Sequence, residues 1–443
     1  MDQDGGRRAP SLPGTISALT DDLLRDILFR LPPHPFQLAS ASCVSKDWRR
    51  VVCDHDFLDR VRRRHRSPAV VGFFDNRPDP RFPRPIIVGG RERFVARIPF
   101  GHWWMYGCRH GRVLLHERHT GMLLVSDLMT RENHYLPLPP SFRAGCESLG
   151  TVLCADDHEH GDCHARPFLV AFMFVNPGRS GTHACIYSSE THEWGAVTSI
   201  SLGFAYIHME VMHTALVGRT IYWMVSGYQI LKYDLDSHTL DLVNESPFYV
   251  FTCCADGMLL LPAEDGGLGI AAVRGFYLRF WSRKPNNDGV IEWKVYKSID
   301  LRRFVKPEQM KIIIEKNLPL RAIAIAEGTD VIFISVTYSV YSLHLSSMEF
   351  KEVLRGVYIN RMSHPYSAFY TAGANNAGAE DGPANLAGAV GSALFAQVEC
   401  CLDLQMILHL TCNVAALEVG GGPSLKGGIR MFGNWAWPRK AVL

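Results

Sequence analysis

Between Leu19 and Val52 aliphatic side chains recur at helical spacing: Leu23, Ile27 and Leu31 fall at i, i+4 and i+8, with Leu24 and Leu28 on the adjacent row. Thr20 stands where it can cap a helix, Asp21 and Asp22 suit the positive end of its dipole, and Arg30 sits near the other end. The period therefore predicts a first helix, stopped by Pro32 and Pro33. A second short helix fits Phe36 to Cys43, and a third begins behind a Ser45 cap with Trp48, Val51 and Val52 on its buried side. Three helices in about 35 residues make too small a core to stand alone without a disulfide, a metal or a partner. The stretch reads as a docking piece. Phe57, Leu58 and Val61 carry the helical period into a basic run, Arg60 to Arg66, that breaks at Pro68. That run is expected to be the positively charged last turn of a helix rather than a nuclear-localisation signal, because cations are favourable there.

From Pro68 the period changes to short strands broken by Gly, Pro, Asn and Asp, which predicts a second, all-β domain. Five segments are loosely alike. Gly111–Leu115 is followed by Met122–Asp127 and Tyr135–Pro137; Ala184–Ser189 leads to Trp194; Val217–Trp223 is followed by Ile230–Leu235. Gly267–Ala271 precedes Leu278–Trp281 and Trp293, and Val331–Ser335 precedes Val340–Leu343 and Phe350. Each unit is a strand, a turn, a strand, a turn such as Thr120-Gly121 or Ser237-His238, and a closing aromatic or leucine. Such sheets have two apolar faces and must stack on neighbours around an axis, which predicts a β-propeller-like array. Dividing about 300 residues by a blade of about 50 suggests about six units.

The N-terminal stretch closely resembles the F-box in its plant form. The resemblance is carried by Leu19, Asp21, Asp22, Leu23, Leu24, Ile27, Leu28, Arg30, Leu31, Pro32, Leu38, Val44, Ser45, Lys46, Trp48, Arg49 and Val52, with Thr20 standing where the family usually has proline. It implies docking to the Skp-type adaptor of a cullin-RING (SCF-type) ubiquitin ligase, and the threonine is expected to weaken rather than abolish that docking. The face expected to meet the adaptor comprises Leu19, Leu23, Leu24, Ile27, Leu28, Leu31, Pro32, Leu38, Val44, Ser45 and Trp48. The β segments resemble the F-box-associated domains of plant F-box proteins, notably at Ala184–Trp194, Leu216–Trp223 and Tyr233–Leu235. The expected organisation is a multidomain α plus all-β chain: a disordered 1–14, an F-box at 15–66, a β-propeller-like domain at 67–372 and a mostly disordered tail at 373–443 with a helix at about 392–417.

Composition changes this picture little. The 443 residues are 47% hydrophobic and 20% charged, as in soluble globular proteins, and a net charge of +2 gives no reason to invoke nucleic acid. Twelve cysteines without C-x-x-C pairs, behind a polar N-terminus, are expected to be thiols in the cytoplasm and/or nucleus. The longest uncharged stretch near the C-terminus, 385–398, is too short for a membrane span.

Motifs for chemistry are weak. His158, His160, Cys163 and His164 are competent zinc-ligand types without a zinc spacing, and are expected to be an exposed loop, with no metal or cofactor. Ser180 lacks a nucleophile-elbow context, the glycine-rich 420–427 lacks the Ser/Thr of a phosphate loop, and Cys253-Cys254 and Cys400-Cys401 are expected to be fillers. The His102–Tyr106 aromatic cluster and Trp194, Trp223, Trp281 and Trp293 are expected to pack blades. The expected function is a non-enzymatic receptor that joins a protein substrate to the ligase. The alternative is a small-molecule-binding or catalytic propeller whose F-box serves only its own turnover.

Overall fold

The computed structural model describes residues 20–371 except positions 33, 66, 76–83, 88–101, 144, 156–162, 164–165, 177–180, 202–213, 226–228, 244–256, 327 and 356–362. The expectations for 1–14, Leu19, Pro33, His158, His160, His164, Ser180, the vicinal cysteines and the 373–443 tail lie outside the described residues.

Four helices come first: α1 (Asp21–Phe29), α2 (Pro35–Ser42), α3 (Lys46–Val52) and α4 (His55–His65). Thr20 caps α1 and Ser45 caps α3, each side-chain oxygen accepting a backbone N–H three residues on, as the sequence implied. Packing centres on α3, which touches the other three helices. Leu24, Leu28, Leu38, Ala41, Trp48, Val51, Val52, Phe57, Leu58 and Val61 are the buried hydrophobic residues of these helices. The basic residues Arg62, Arg63, Arg64 and His65 do occupy the last turn of α4.

The β domain opens with β1 (Ala69–Asp75) and β2 (Arg84–Ile87). A first blade follows from β3 (Trp103–Arg109), β4 (Arg112–Glu117), β5 (Met122–Asp127) and β6 (Asn133–Pro137). The second has β7 (Glu147–Cys154), β8 (Phe168–Val175), β9 (Gly181–Ser188) and an outer strand split into β10 (Glu193–Trp194) and β11 (Thr198–Ser201). The third is β12 (Thr214–Val217), β13 (Thr220–Val225), β14 (Gln229–Asp234) and β15 (Thr239–Leu242). The fourth is β16 (Met258–Pro262), β17 (Leu268–Arg274), β18 (Tyr277–Pro285) and β19 (Ile291–Asp300). Helix α5 (Pro307–Glu315) intervenes before the fifth, made of β20 (Arg321–Ala326), β21 (Val331–Val336), β22 (Ser339–His344) and β23 (Phe350–Arg355). Every blade is an antiparallel meander.

The propeller therefore has five blades, not about six. A smaller three-stranded sheet, ordered β2–β1–β24, joins β1 from the beginning of the domain to β24 (Ser363–Ala368) from its end. Division by blade length overcounts because the residues at both ends go into this closing sheet. Strand β24 lies against both β20 and β3, so the sheet closes the ring between the fifth and first blades. Apolar cores bridge each junction. One cluster spans the first three blades, others join the third to the fourth and the fourth to the fifth, and two more bind the closing sheet to its neighbours. Phe73 meets Phe333 edge-on at 4.5 Å across one of these seams.

The innermost strands run the same way. Gly257 before β16 sits against Ala322 near the start of β20, and the Tyr366 hydroxyl of β24 donates to the Gly111 carbonyl beyond β3 at 3.1 Å. Because Ala69 pairs with Ala368, α4 hands the chain to the ring on the face where these inner strands end.

A buried polar tie joins the first two blades. The Tyr106 hydroxyl lies 2.8 Å from His116 Nδ1 and 2.5 Å from Ser148 Oγ. Burial, more than the nearby Arg118 charge, pushes the His116 imidazole down to about 4 from 6.5. Below pH 6.5 the unfolded chain takes up a proton that the folded chain refuses until about pH 4, so stability falls with pH across that window, by roughly 3 kcal/mol at most. His116→Gln keeps an acceptor for Tyr106 and removes this slope. Urea midpoints at pH 7 and 4.5 check it; equal losses in both proteins refute it.

Candidate functional site

Helix α1 divides its two aliphatic rows between inside and outside. Leu24 and Leu28 are 3% and 1% exposed, whereas Leu23 is 55% exposed. Ile27, Leu31 and Val44 are half-buried, and Pro32 and Ser45 are exposed. Leu38 and Trp48 are buried with Leu24 and Leu28. Four residues expected at the adaptor face, Leu24, Leu28, Leu38 and Trp48, thus lie in the module's own core, beneath its surface. The reason is size. A four-helix module needs every large apolar side chain it can enclose.

Two bidentate ion pairs hold the frame of this surface. Arg25 grips Asp54 at 3.2 and 3.1 Å, fixing α1 to the start of α4, where Asp54 also accepts the Phe57 N–H at 2.9 Å. Arg50 of α3 grips Asp21 at 2.7 and 2.8 Å. The Arg25 guanidinium holds the Asp54 carboxyl below its ordinary range, and Arg50 does the same to Asp21. Arg60 and Arg64 lie over the Phe29 ring at 5.2 and 4.9 Å, which occupies part of the basic run within the module. The module meets the propeller through Phe36, which packs on the core between the closing sheet and the first blade.

Thr20 adopts φ −66° and ψ 152°, a conformation proline shares, and its cap bond is long at 3.5 Å. Thr20→Pro is therefore expected to leave helix content unchanged and adaptor affinity equal or higher in a titration. A clear loss of affinity contradicts this reading of the helix start.

In the β domain a cavity of about 500 Å³ follows the propeller axis, lined by Gly107, Gly150, Ala215, Leu260, Ala324 and His364 from the innermost strands. Arg109, Glu264, Lys297 and Asp330 add charge, with Lys297 and Glu264 paired at 3.1 Å. The aromatic cluster is mostly core: Trp103, Met105 and Tyr106 are buried on β3, while half-buried Trp104 carries the Arg118 guanidinium over its ring at 4.6 Å. Trp223 and Trp281 are buried, and Trp194 and Trp293 pack partly buried on the inter-blade clusters, as expected of blade-packing residues.

Cys163 has a setting the sequence did not reveal. Its thiol, the Cys154 thiol at the end of β7 and the His110 imidazole between β3 and β4 place one donor atom each within 4.8 Å of one another. His110 Nδ1 is 3.3 Å from Cys154 Sγ. The apposed Cys163 thiol and burial together raise the Cys154 thiol, with Arg112 and Arg109 acting the other way. Residues 44 and 53 positions from His110 carry no spacing signal; only three-dimensional proximity exposes the group.

Two family profiles match the chain: the F-box domain over residues 16–60, and "F-box protein AT5G49610-like, beta-propeller" over residues 104–363, more than half of the chain. No curated protein matches it. Solved structures similar to it include the extracellular domain of the putative one component system BT4673 from B. thetaiotaomicron (10% identity, 57% of this chain and 28% of that one, TM-score 0.29). They also include an oligogalacturonate lyase in complex with manganese (11%, 55% and 62%, 0.30) and YCF48 bound to D1 peptide (10%, 55% and 63%, 0.29). The chain spans less than two thirds of each, and likeness at this level carries no functional argument.

Proposed function

We propose, since this chain belongs to the F-box proteins that carry an AT5G49610-like β-propeller, that it is the substrate-recognition subunit of an SCF-type cullin-RING ubiquitin ligase. At the family level this architecture is that of a substrate adaptor. The observation that carries the reading for this chain is the surface row of Leu23, Ile27 and Leu31 beside Pro32, left outside a helical module whose own core is already filled. Fully burying an exposed aliphatic side chain is worth roughly 1.5–3 kcal/mol, so Leu23, 55% exposed, gains about half of that under a partner and half-buried Ile27 and Leu31 gain less. The Skp-type adaptor is the proposed partner. The propeller then holds a protein substrate, and catalysis is by proximity: tethering raises the effective concentration of a substrate lysine near a ubiquitin-charged enzyme, without chemistry by this chain. The proposal places the complex in the cytoplasm, the nucleus or both. Co-purification with the adaptor, followed by reconstituted ubiquitination of captured proteins, tests it; adaptor binding that survives deletion of residues 15–55 would sink it.

The axial cavity favours a second reading, in which the propeller binds a small molecule and the F-box governs only its turnover. A cavity of about 500 Å³ with mixed charge at Arg109, Glu264, Lys297 and Asp330 is of ligand size. Recovery of a stoichiometric small molecule from the purified chain, with no ubiquitinated client, selects it over the first.

A further inference from the structure

We propose that His110, Cys154 and Cys163 form a binding site for a zinc-class divalent ion where the first blade meets the second. The proposal is independent of the ligase reading. Imidazole nitrogen and two sulfurs are a soft donor set that suits zinc over magnesium or calcium. Bonds of about 2.0–2.3 Å in a tetrahedral shell put neighbouring donors roughly 3.3–3.8 Å apart. The 3.3 Å between His110 Nδ1 and Cys154 Sγ, and the 4.8 Å limit on all three separations, lie close to that.

The three donors come from three separate pieces of chain, and each is held for a different reason. Cys154 ends an inner strand. His110 and Gly111 form the two-residue turn between β3 and β4 with φ of 50° and 83°, both positive, which is a geometry where asparagine and glycine are the favoured residues. Histidine gives up turn propensity there, and what it gains is a ring placed beside Cys154. Cys163 lies in a loop yet is only 3% exposed. The Arg112 guanidinium brackets it, donating to the Cys163 carbonyl and, at 2.6 Å, to that of Arg166, while lying 5.0 Å over the Phe168 ring. Groups that orient ligands in this way are a regular part of metal sites.

Binding breaks two S–H bonds and forms two metal–sulfur bonds, with both protons released to solvent. A dication, two thiolates and a neutral imidazole sum to zero charge, and three protein donors leave the fourth tetrahedral position to water or another donor. Affinity must therefore fall as pH falls.

The test uses the full chain purified with reductant and without chelator, titrated with Zn²⁺ and analysed by elemental mass spectrometry, with Co²⁺ replacement read as thiolate-to-metal charge-transfer absorbance. One equivalent is expected for the wild type, and less than about a tenth of that for Cys154→Ser and Cys163→Ser. His110→Asn separates binding from folding, because asparagine suits the turn: circular dichroism should be unchanged while zinc affinity drops at least tenfold. Failure of the wild type to take up stoichiometric zinc overturns the site, as does uptake indifferent to both His110→Asn and Cys154→Ser. A Cys154–Cys163 disulfide that forms equally fast with and without zinc also overturns it, since the pair would then be a redox couple.

Discussion

Leu23→Asp combined with Ile27→Asp is expected to weaken adaptor binding at least a hundredfold, about 3 kcal/mol, while leaving the fold intact. Leu23 is 55% exposed, and a substitution at such a surface position usually moves stability by less than about 0.5 kcal/mol. Half-buried Ile27 lies at the edge of the core, so circular dichroism of the double variant is the control on its fold. In a complex the same carboxylates would be desolvated against an apolar surface, which costs far more than the lost contacts alone. Trp48→Ala is the contrasting variant. Its indole is 2% exposed under α3, the helix that touches the other three. Losing it costs about 3–5 kcal/mol, more than so small a module can spare. Both variants should therefore fail to pull down the adaptor, but only Trp48→Ala should lose helical circular dichroism and become protease-sensitive between residues 20 and 65. If the aspartate pair still co-purifies with the adaptor at wild-type yield, the surface row is not the docking face.

The second large effect is expected at Tyr366. The ring is fully buried in β24, meets Phe74 of β1 edge-on at 5.9 Å, and its hydroxyl reaches across the seam to the Gly111 carbonyl. Tyr366→Ala removes the packing of the closing sheet against the first blade and should cost about 3–5 kcal/mol. Tyr366→Phe keeps the ring and strands one carbonyl, for about 1–2 kcal/mol. Urea unfolding of the two variants beside the wild type should rank them in that order. Equal midpoints for Tyr366→Ala and the wild type would show that closure does not depend on this seam.

The helical module was legible because its signals are local. Caps at Thr20 and Ser45, proline after α1 and the 3.6-residue period all act within a few positions. What the period could not say is which aliphatic row faces inward. Leu23 and Leu24 are adjacent, equally apolar and about 100° apart around the helix, and only the positions of α3 and α4 decide between them. In the β domain two or three outer strands of each unit stand out by self-similarity, while β8 and β15 carry no such mark, and those five units correspond to the five blades. The inner strands β7, β12, β16 and β20 were not singled out. Strands β16 and β20 are short, largely buried apolar runs, β7 is buried yet interrupted by Ser, Gly and Thr, and β12 is only four residues long, so none shows the alternation that marks a strand. Helix α5 was missed although Pro307 at its first turn is a start signal, because the flanking sequence is all strand. The closing sheet, like the His110–Cys154–Cys163 group, joins residues with no relation in sequence, and nothing in a single chain marks such pairs.

The closing sheet also sets a clock on folding. Ala69 finds Ala368 about 300 residues later in the chain, and at translation rates of roughly 5–20 residues per second that is on the order of 15–60 s. Throughout that interval Val71, Phe73 and Phe74, all buried in the finished ring, have no inner strand beside them. A nascent chain with that much apolar edge on show presents the kind of surface that chaperones cover, and a pairing this distant in sequence is one that forms slowly.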